Sequence, residues 1–144
     1  LGLLAVLAMV ARNDTRLAGK SSARGAGRAL AARARPGDRI ALYRNYPRGL
    51  SFYVAQPLTV PVVADKFEIQ VSDDQTRLGV LAYADEEKDA RIVDWFTREP
   101  RVFLVTTDRR DPLTRRSPLE ILQAGTTRPI REVYRDGKLV IVTN

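Results

Sequence analysis

The run Arg101-Val-Phe-Leu-Val-Thr106 constrains this chain more than any other stretch. Its apolar residues do not alternate with polar ones, so a strand here is buried on both faces and needs cover from both sides. The surrounding sequence predicts that cover. Ser21 or Ser22 caps a helix over 23–34 that Pro36-Gly37 ends. A second helix opens at Asp85-Glu86-Glu87, where acidic groups suit the positive end of the dipole, and stops at Pro100. Its Ile92, Val93 and Phe96 share one face, with Trp95 at the flank. Ser117-Pro-Leu-Glu120 is a capping box opening a third helix, Leu119–Ala124, with Gly125 as a left-handed cap.

Strands are predicted between these helices. Arg39–Tyr43 is short and apolar. Leu58–Ala64 is β-branched, and its Pro61 belongs at a sheet edge or a bulge. Leu78–Tyr83 is weaker, strand or loop, after the polar and irregular stretch 65–76. Pro47–Ala55 suits a short helix, although its apolar residues are too dense for a clean stripe. Two β runs, 130–135 and 138–143, flank Asp136-Gly137 and predict a hairpin with a type I′ turn. Helices alternating with strands, then a closing hairpin, predict an α/β fold. We expect a three-layer α/β/α sandwich with a mixed sheet of about five strands. A length of 144 residues suits one such domain.

The formal charge is +7, which invites a nucleic-acid reading. Its distribution argues against that. Residues 1–35 carry seven basic groups and one acid, Asp14, so the remaining 109 positions are nearly neutral at +1. The basic excess follows an uncharged apolar head, Leu1–Ala11, too short to span a bilayer, which takes about 20 residues. Three readings are open for this head: the end of a transmembrane helix that begins outside the chain, a packing helix, or the remnant of a signal peptide. The absence of an initiator Met favours a fragment or a processed product. We therefore expect 1–11 to be the end of a transmembrane helix, 12–22 a basic linker, and 23–144 a soluble α/β domain. Free in water, the head would promote self-association.

Cys and His are both absent, which removes disulfides, thiolate nucleophiles, Cys/His zinc sites and histidine general bases. Gly25-Ala-Gly27 follows no strand and lacks the third glycine of a dinucleotide fingerprint. Asp73-Asp74 and Asp85-Glu86-Glu87 read as solvated loop and capping groups rather than cation ligands. No metal or cofactor is expected in this chain. Two loops carry more interest: Tyr43-Arg44-Asn45-Tyr46 after the first strand, and Thr106-Thr107-Asp108-Arg109-Arg110 after the buried one. In open α/β sheets ligands gather beyond the carboxyl ends of strands. Tyr43, Arg44, Tyr46, Asp108, Arg109 and Arg110 could there hold a phosphate or a sugar hydroxyl. The plainer reading is loop residues in surface ion pairs.

The order Pro36-Gly-Asp38, Ile40-Ala-Leu-Tyr-Arg-Asn-Tyr46, Leu50-Ser-Phe-Tyr53, Pro61-Val-Val63, Trp95-Phe96, Val102-Phe-Leu-Val105 and Gly137-Lys-Leu-Val-Ile-Val-Thr-Asn144 carries a resemblance. Over residues 20–144 the chain resembles the C-terminal soluble domain of bacterial polyprenyl-phosphate-sugar-dependent glycosyltransferases. These are multi-spanning membrane enzymes related to aminoarabinose transferases and protein O-mannosyltransferases. The resemblance implies a parent enzyme that moves a sugar from a polyprenyl-phosphate carrier to a lipid or protein acceptor on the extracytoplasmic side. Its catalytic and metal-binding residues lie in the membrane part, and none maps onto these 144 positions. The implied partners are that membrane part, in the same polypeptide, with lipid-phosphate headgroups or the carrier itself. The basic stretch alone would favour the cytoplasmic side, although that rule weakens for the last of many helices. A stand-alone small-ligand binder and a nucleic-acid module are the competing expectations.

Overall fold

The computed structural model describes residues 23–45, 47, 49–63, 78–83 and 87–144. The expected membrane-helix end, the basic linker, the caps Ser21, Ser22 and Asp85, the acidic pair Asp73-Asp74, the stretch 65–76 and Tyr46 lie outside them. The described residues form, in order, α1 (Ala23–Ala31), β1 (Arg39–Leu42), a 3₁₀ turn (Leu50–Phe52), β2 (Leu58–Val63), β3 (Leu78–Tyr83), α2 (Glu87–Arg98), β4 (Val102–Thr107), α3 (Pro118–Gly125), β5 (Arg131–Asp136) and β6 (Leu139–Thr143).

The strands form one mixed sheet in the order β3-β2-β1-β4-β6-β5. The first four run parallel, β6 is antiparallel to β4, and β5 is antiparallel to β6. The chain is thus an α/β protein with a C-terminal hairpin. Its sheet has six strands where about five were expected, because Leu78–Tyr83 pairs along its whole length with β2. Pro61 is not on an edge strand by order. Past Thr59, however, β2 has no paired residue on β1, so the missing N–H falls where β2 is paired on one side only.

Every residue of β4 is buried, as the unbroken apolar run requires. Alternate side chains feed two cores. Phe103 and Val105 join Ile40, Leu42, Leu139 and Ile141 under α1 and the 3₁₀ turn, which contribute Ala26, Leu30 and Leu50. Val102 and Leu104 join Ala41, Tyr43, Val140 and Val142 under α2 and α3, which contribute Ile92, Trp95, Phe96 and Leu122. Helices therefore cover both faces. Among the described residues no helix is long and apolar enough to cross a membrane.

Several local expectations change. The 47–55 helix contracts to the 3₁₀ turn, because Gly49 stands in the left-handed region at φ +81° just before it. Among the described residues of that stretch only Leu50 and Val54 are buried, while Phe52 is 71 % exposed. On α2 the buried set is Ile92, Trp95 and Phe96, so the indole belongs to the core rather than the flank. Val93 turns instead toward Gly125, where an added Cβ would come within 2.6 Å of its side chain. Gly125 is the last residue of α3 and is not left-handed. It is glycine for close approach, not for φ. The hairpin turn shifts by one residue: Asp136 pairs with Leu139, so Gly137 and Lys138 form the loop. Only Gly137 of the two has positive φ, which is the type II′ pattern and not type I′.

Candidate functional site

β1 and β4 are adjacent and parallel, with Leu42 beside Val105. The chain leaves β1 toward the 3₁₀ turn over one core and leaves β4 toward α3 over the other. Their carboxyl ends therefore form a topological switch point, the place where open α/β sheets keep ligands. Both predicted loops meet there. The buried Thr106 hydroxyl donates to the Tyr43 carbonyl at 2.8 Å, and the Asn45 amide reaches the Thr106 carbonyl at 3.4 Å.

Tyr43 is 2 % exposed, and its hydroxyl donates to the Asp89 carboxylate on the first turn of α2. Burial, and then the hydrogen bond to Asp89, hold its phenol far above the usual value. It is a fixed donor at neutral pH. Arg44 takes a left-handed backbone at φ 57°, rare outside glycine, asparagine and aspartate. Its guanidinium lies 4.9 Å from the Tyr43 ring centre. It stands 3.6 Å from Asp89 and 3.8 Å from Asp111, and donates to the Arg116 carbonyl at 3.4 Å. One arginine thus faces two carboxylates, and an incoming phosphate would have to displace one of them.

The remaining predicted residues diverge. Asp108 pairs with Arg135 of β5 at 2.7 Å, and Arg110 with Glu120 of α3 at 2.5 Å. Arg109 is exposed, and its backbone N–H donates to the Thr107 hydroxyl at 3.3 Å. The six predicted residues therefore split into a Tyr43–Arg44 centre and an outward-facing Asp108–Arg110 arm, with Tyr46 undescribed.

Asp89, Asp111 and Arg116 complete the centre and were not anticipated. Asp89 was within reach of sequence reasoning: a helix that feeds a parallel strand runs antiparallel to it, so the first turn of α2 must lie at the carboxyl end of the sheet. Asp111-Pro112 is a turn-opening pair. Asp111 Oδ1 accepts the N–H groups of Leu113 at 2.8 Å and Thr114 at 2.9 Å. Those two bonds, with the weaker pull of Arg44, hold its carboxyl below the ordinary range.

A shallow apolar concavity of about 340 Å³ adjoins this centre between α2 and α3, lined by Asp89, Val93, Arg116, Ile121, Ala124 and Gly125. A larger one of about 560 Å³ lies at the opposite end of the sheet among Arg33, Arg101, Arg131 and Phe103. There Arg101 stacks over Phe103 at 5.0 Å and donates to the Arg33 carbonyl at 2.8 Å. Among the described residues no group of three or more His, Cys, Asp or Glu could hold a metal ion. What the switch point can do is position: a buried phenol and a compensated guanidinium tie β1, α2 and the loop after β4 together. In comparisons with family models, curated proteins and solved structures, nothing matches this chain.

Proposed function

We propose that the chain is the accessory domain of a membrane-embedded glycosyltransferase, attached on the extracytoplasmic side of the cell envelope. The parent enzyme takes a sugar from a polyprenyl-phosphate carrier and gives it to a lipid or protein acceptor. The catalytic groups lie outside these 144 residues. One observation carries the reading beyond the resemblance: the polarity of α1. Its end lies near the amino ends of β4 and β5, where Arg101 bonds the Arg33 carbonyl and Arg33 and Arg131 line one concavity. Its start, Gly25, rests against the Tyr134 hydroxyl, one residue from the Arg135 that pairs with Asp108. The chain therefore enters the domain at the carboxyl end of β4. Residues 12–22 are long enough for at most about 40 Å of extended chain between that entry and the apolar head. The switch point and its loops share the end at which α1 begins, which supports a tether entering on that side.

The internally paired state of Arg44 supports a role in holding and positioning rather than in chemistry. Incubating the chain with a polyprenyl-phosphate sugar and an acceptor should give no product, and turnover by these 144 residues alone would sink the accessory role. The reading frame upstream of Leu1 is the second test. Several hundred residues of hydrophobic spans are expected there, and a start codon close to Leu1 would overturn the proposal.

A further inference from the structure

Leu113 is 92 % exposed, the most exposed large apolar side chain among the described residues. Its backbone is nonetheless closed tightly. Besides the two bonds to Asp111 Oδ1, the Asp111 N–H donates to the Arg116 carbonyl and the Arg115 N–H to the Asp111 carbonyl, each at 2.9 Å. A loop ordered this way meets a partner with little further loss of conformational freedom.

Arginines flank the leucine along the chain. The segment 108–116 holds Arg109, Arg110, Arg115 and Arg116 against Asp108 and Asp111. Both aspartates already face arginines elsewhere, Asp108 at Arg135 and Asp111 at Arg44, and Arg110 is paired with Glu120. Among the described residues Arg109, Arg115 and Arg116 are exposed and stand in no ion pair. The Arg116 guanidinium donates to the Glu120 carbonyl at 3.4 Å, which leaves its charge unopposed. An exposed leucine flanked along the chain by guanidinium groups outside any ion pair matches an anionic bilayer surface, with acyl chains below charged phosphates.

We infer that the 108–116 loop is a membrane-surface anchor: Leu113 enters the headgroup region of an anionic bilayer while Arg109, Arg115 and Arg116 meet lipid phosphates. Orientation supports this. The loop follows β4, so it lies at the end of the sheet where α1 begins, the end a membrane tether would enter on the reading above. The anchor rests on the membrane-attached reading above and adds the residues that hold the domain against the lipid.

The chain has no cysteine, so one introduced thiol is unique. The full chain carrying Leu113→Cys is labelled with bimane and mixed with vesicles of phosphatidylcholine, with or without phosphatidylglycerol, containing brominated acyl chains. Ala32→Cys, exposed just beyond the far end of α1, is the reference site. The label at 113 should shift to the blue and be quenched on anionic vesicles, while the label at 32 stays in water. Raising salt should reverse the effect. Arg109→Gln and Arg115→Gln should each weaken the quenching-detected association about fivefold at low salt.

If the chain sediments with anionic vesicles while the label at 113 stays wet, the anchor is wrong and the accessory-domain reading stands. Failure to associate at all, or equal quenching with and without phosphatidylglycerol, also overturns it. Sugar transfer by the chain alone would remove the accessory reading and leave the anchor standing.

Discussion

Gly27 is a position where two opposed effects can be weighed. It lies within α1 and is buried. Replacing glycine by alanine inside a helix ordinarily stabilises by about 1 kcal/mol. Here the new Cβ would run into Tyr53 Cβ and come within 2.7 Å of its Cγ. Tyr53 Cβ is one bond from the backbone, so no rotamer change moves it away, and either α1 or the 3₁₀ turn must shift. Overpacking of this kind costs roughly 1–3 kcal/mol, and an immovable partner puts it at the upper end. Gly27→Ala should therefore lose about 2 kcal/mol net, lowering Tm by roughly 4–8 °C for a chain of this size. Gly25 is the internal control. Its Cβ would meet the Tyr134 hydroxyl, the far end of a side chain that can swing aside. Gly25→Ala should stay within about 0.5 kcal/mol of the parent, since the propensity gain offsets the adjustment. Urea unfolding of both variants measures the difference. Tyr53→Ala keeps the offending Cβ, so it should not fully rescue Gly27→Ala. A Gly27→Ala protein as stable as the Gly25→Ala one, or a full rescue by Tyr53→Ala, refutes the reasoning.

Ser117 accepts the Glu120 N–H at 3.2 Å while Glu120 accepts the Ser117 N–H at 2.7 Å. Ser117→Ala should cost about 1 kcal/mol in chemical denaturation, and a neutral result would mean that the box is dispensable to α3. The alkaline limit should depend on Tyr43, whose folded phenol is held above its unfolded value of 10.0 by burial first and Asp89 second. The neutral phenol stabilises the fold fully below that pH, and the contribution is lost as pH rises beyond it. Tyr43→Phe should flatten this alkaline fall in pH-dependent unfolding. On the acid side Asp111, Glu120 and Glu132 sit below the ordinary carboxylate range, held respectively by backbone N–H groups, the Ser117 N–H and Arg135. Their stabilisation is complete above that range and disappears as pH falls through the lowered values, so Asp111→Asn should flatten the acid limb. Arg115 is exposed at φ 58°, so Arg115→Gly should raise stability by about 1 kcal/mol while weakening vesicle association.

How much was legible follows the range of each signal. The capping box at Ser117 and Glu120 is written in adjacent residues and is found as read. The hairpin was visible, but its turn type was not, because the Asp136–Leu139 pairing displaced the loop by one residue. Gly25-Ala-Gly27 gave no usable signal. Its glycines answer to Tyr134 and Tyr53, neighbours only in the folded chain. The candidate site was half readable. Local strand-end logic reached Tyr43 and Arg44 but said nothing of Asp89, whose contact with Tyr43 spans 46 positions of sequence.

The amino-acid order alone determined the α/β class, the doubly buried β4, and the separation of a basic, apolar-headed start from a nearly neutral domain. Hydrophobic period, caps and turn residues act over a few residues, so they survive without coordinates. Strand order, the meeting of the loops after β1 and β4, the compensation of Arg44 by Asp89 and Asp111, and the exposure of Leu113 belong to the tertiary structure. Charge compensation depends on which loops share an end of the sheet. That is set by packing the two cores together, through contacts that no window of sequence contains.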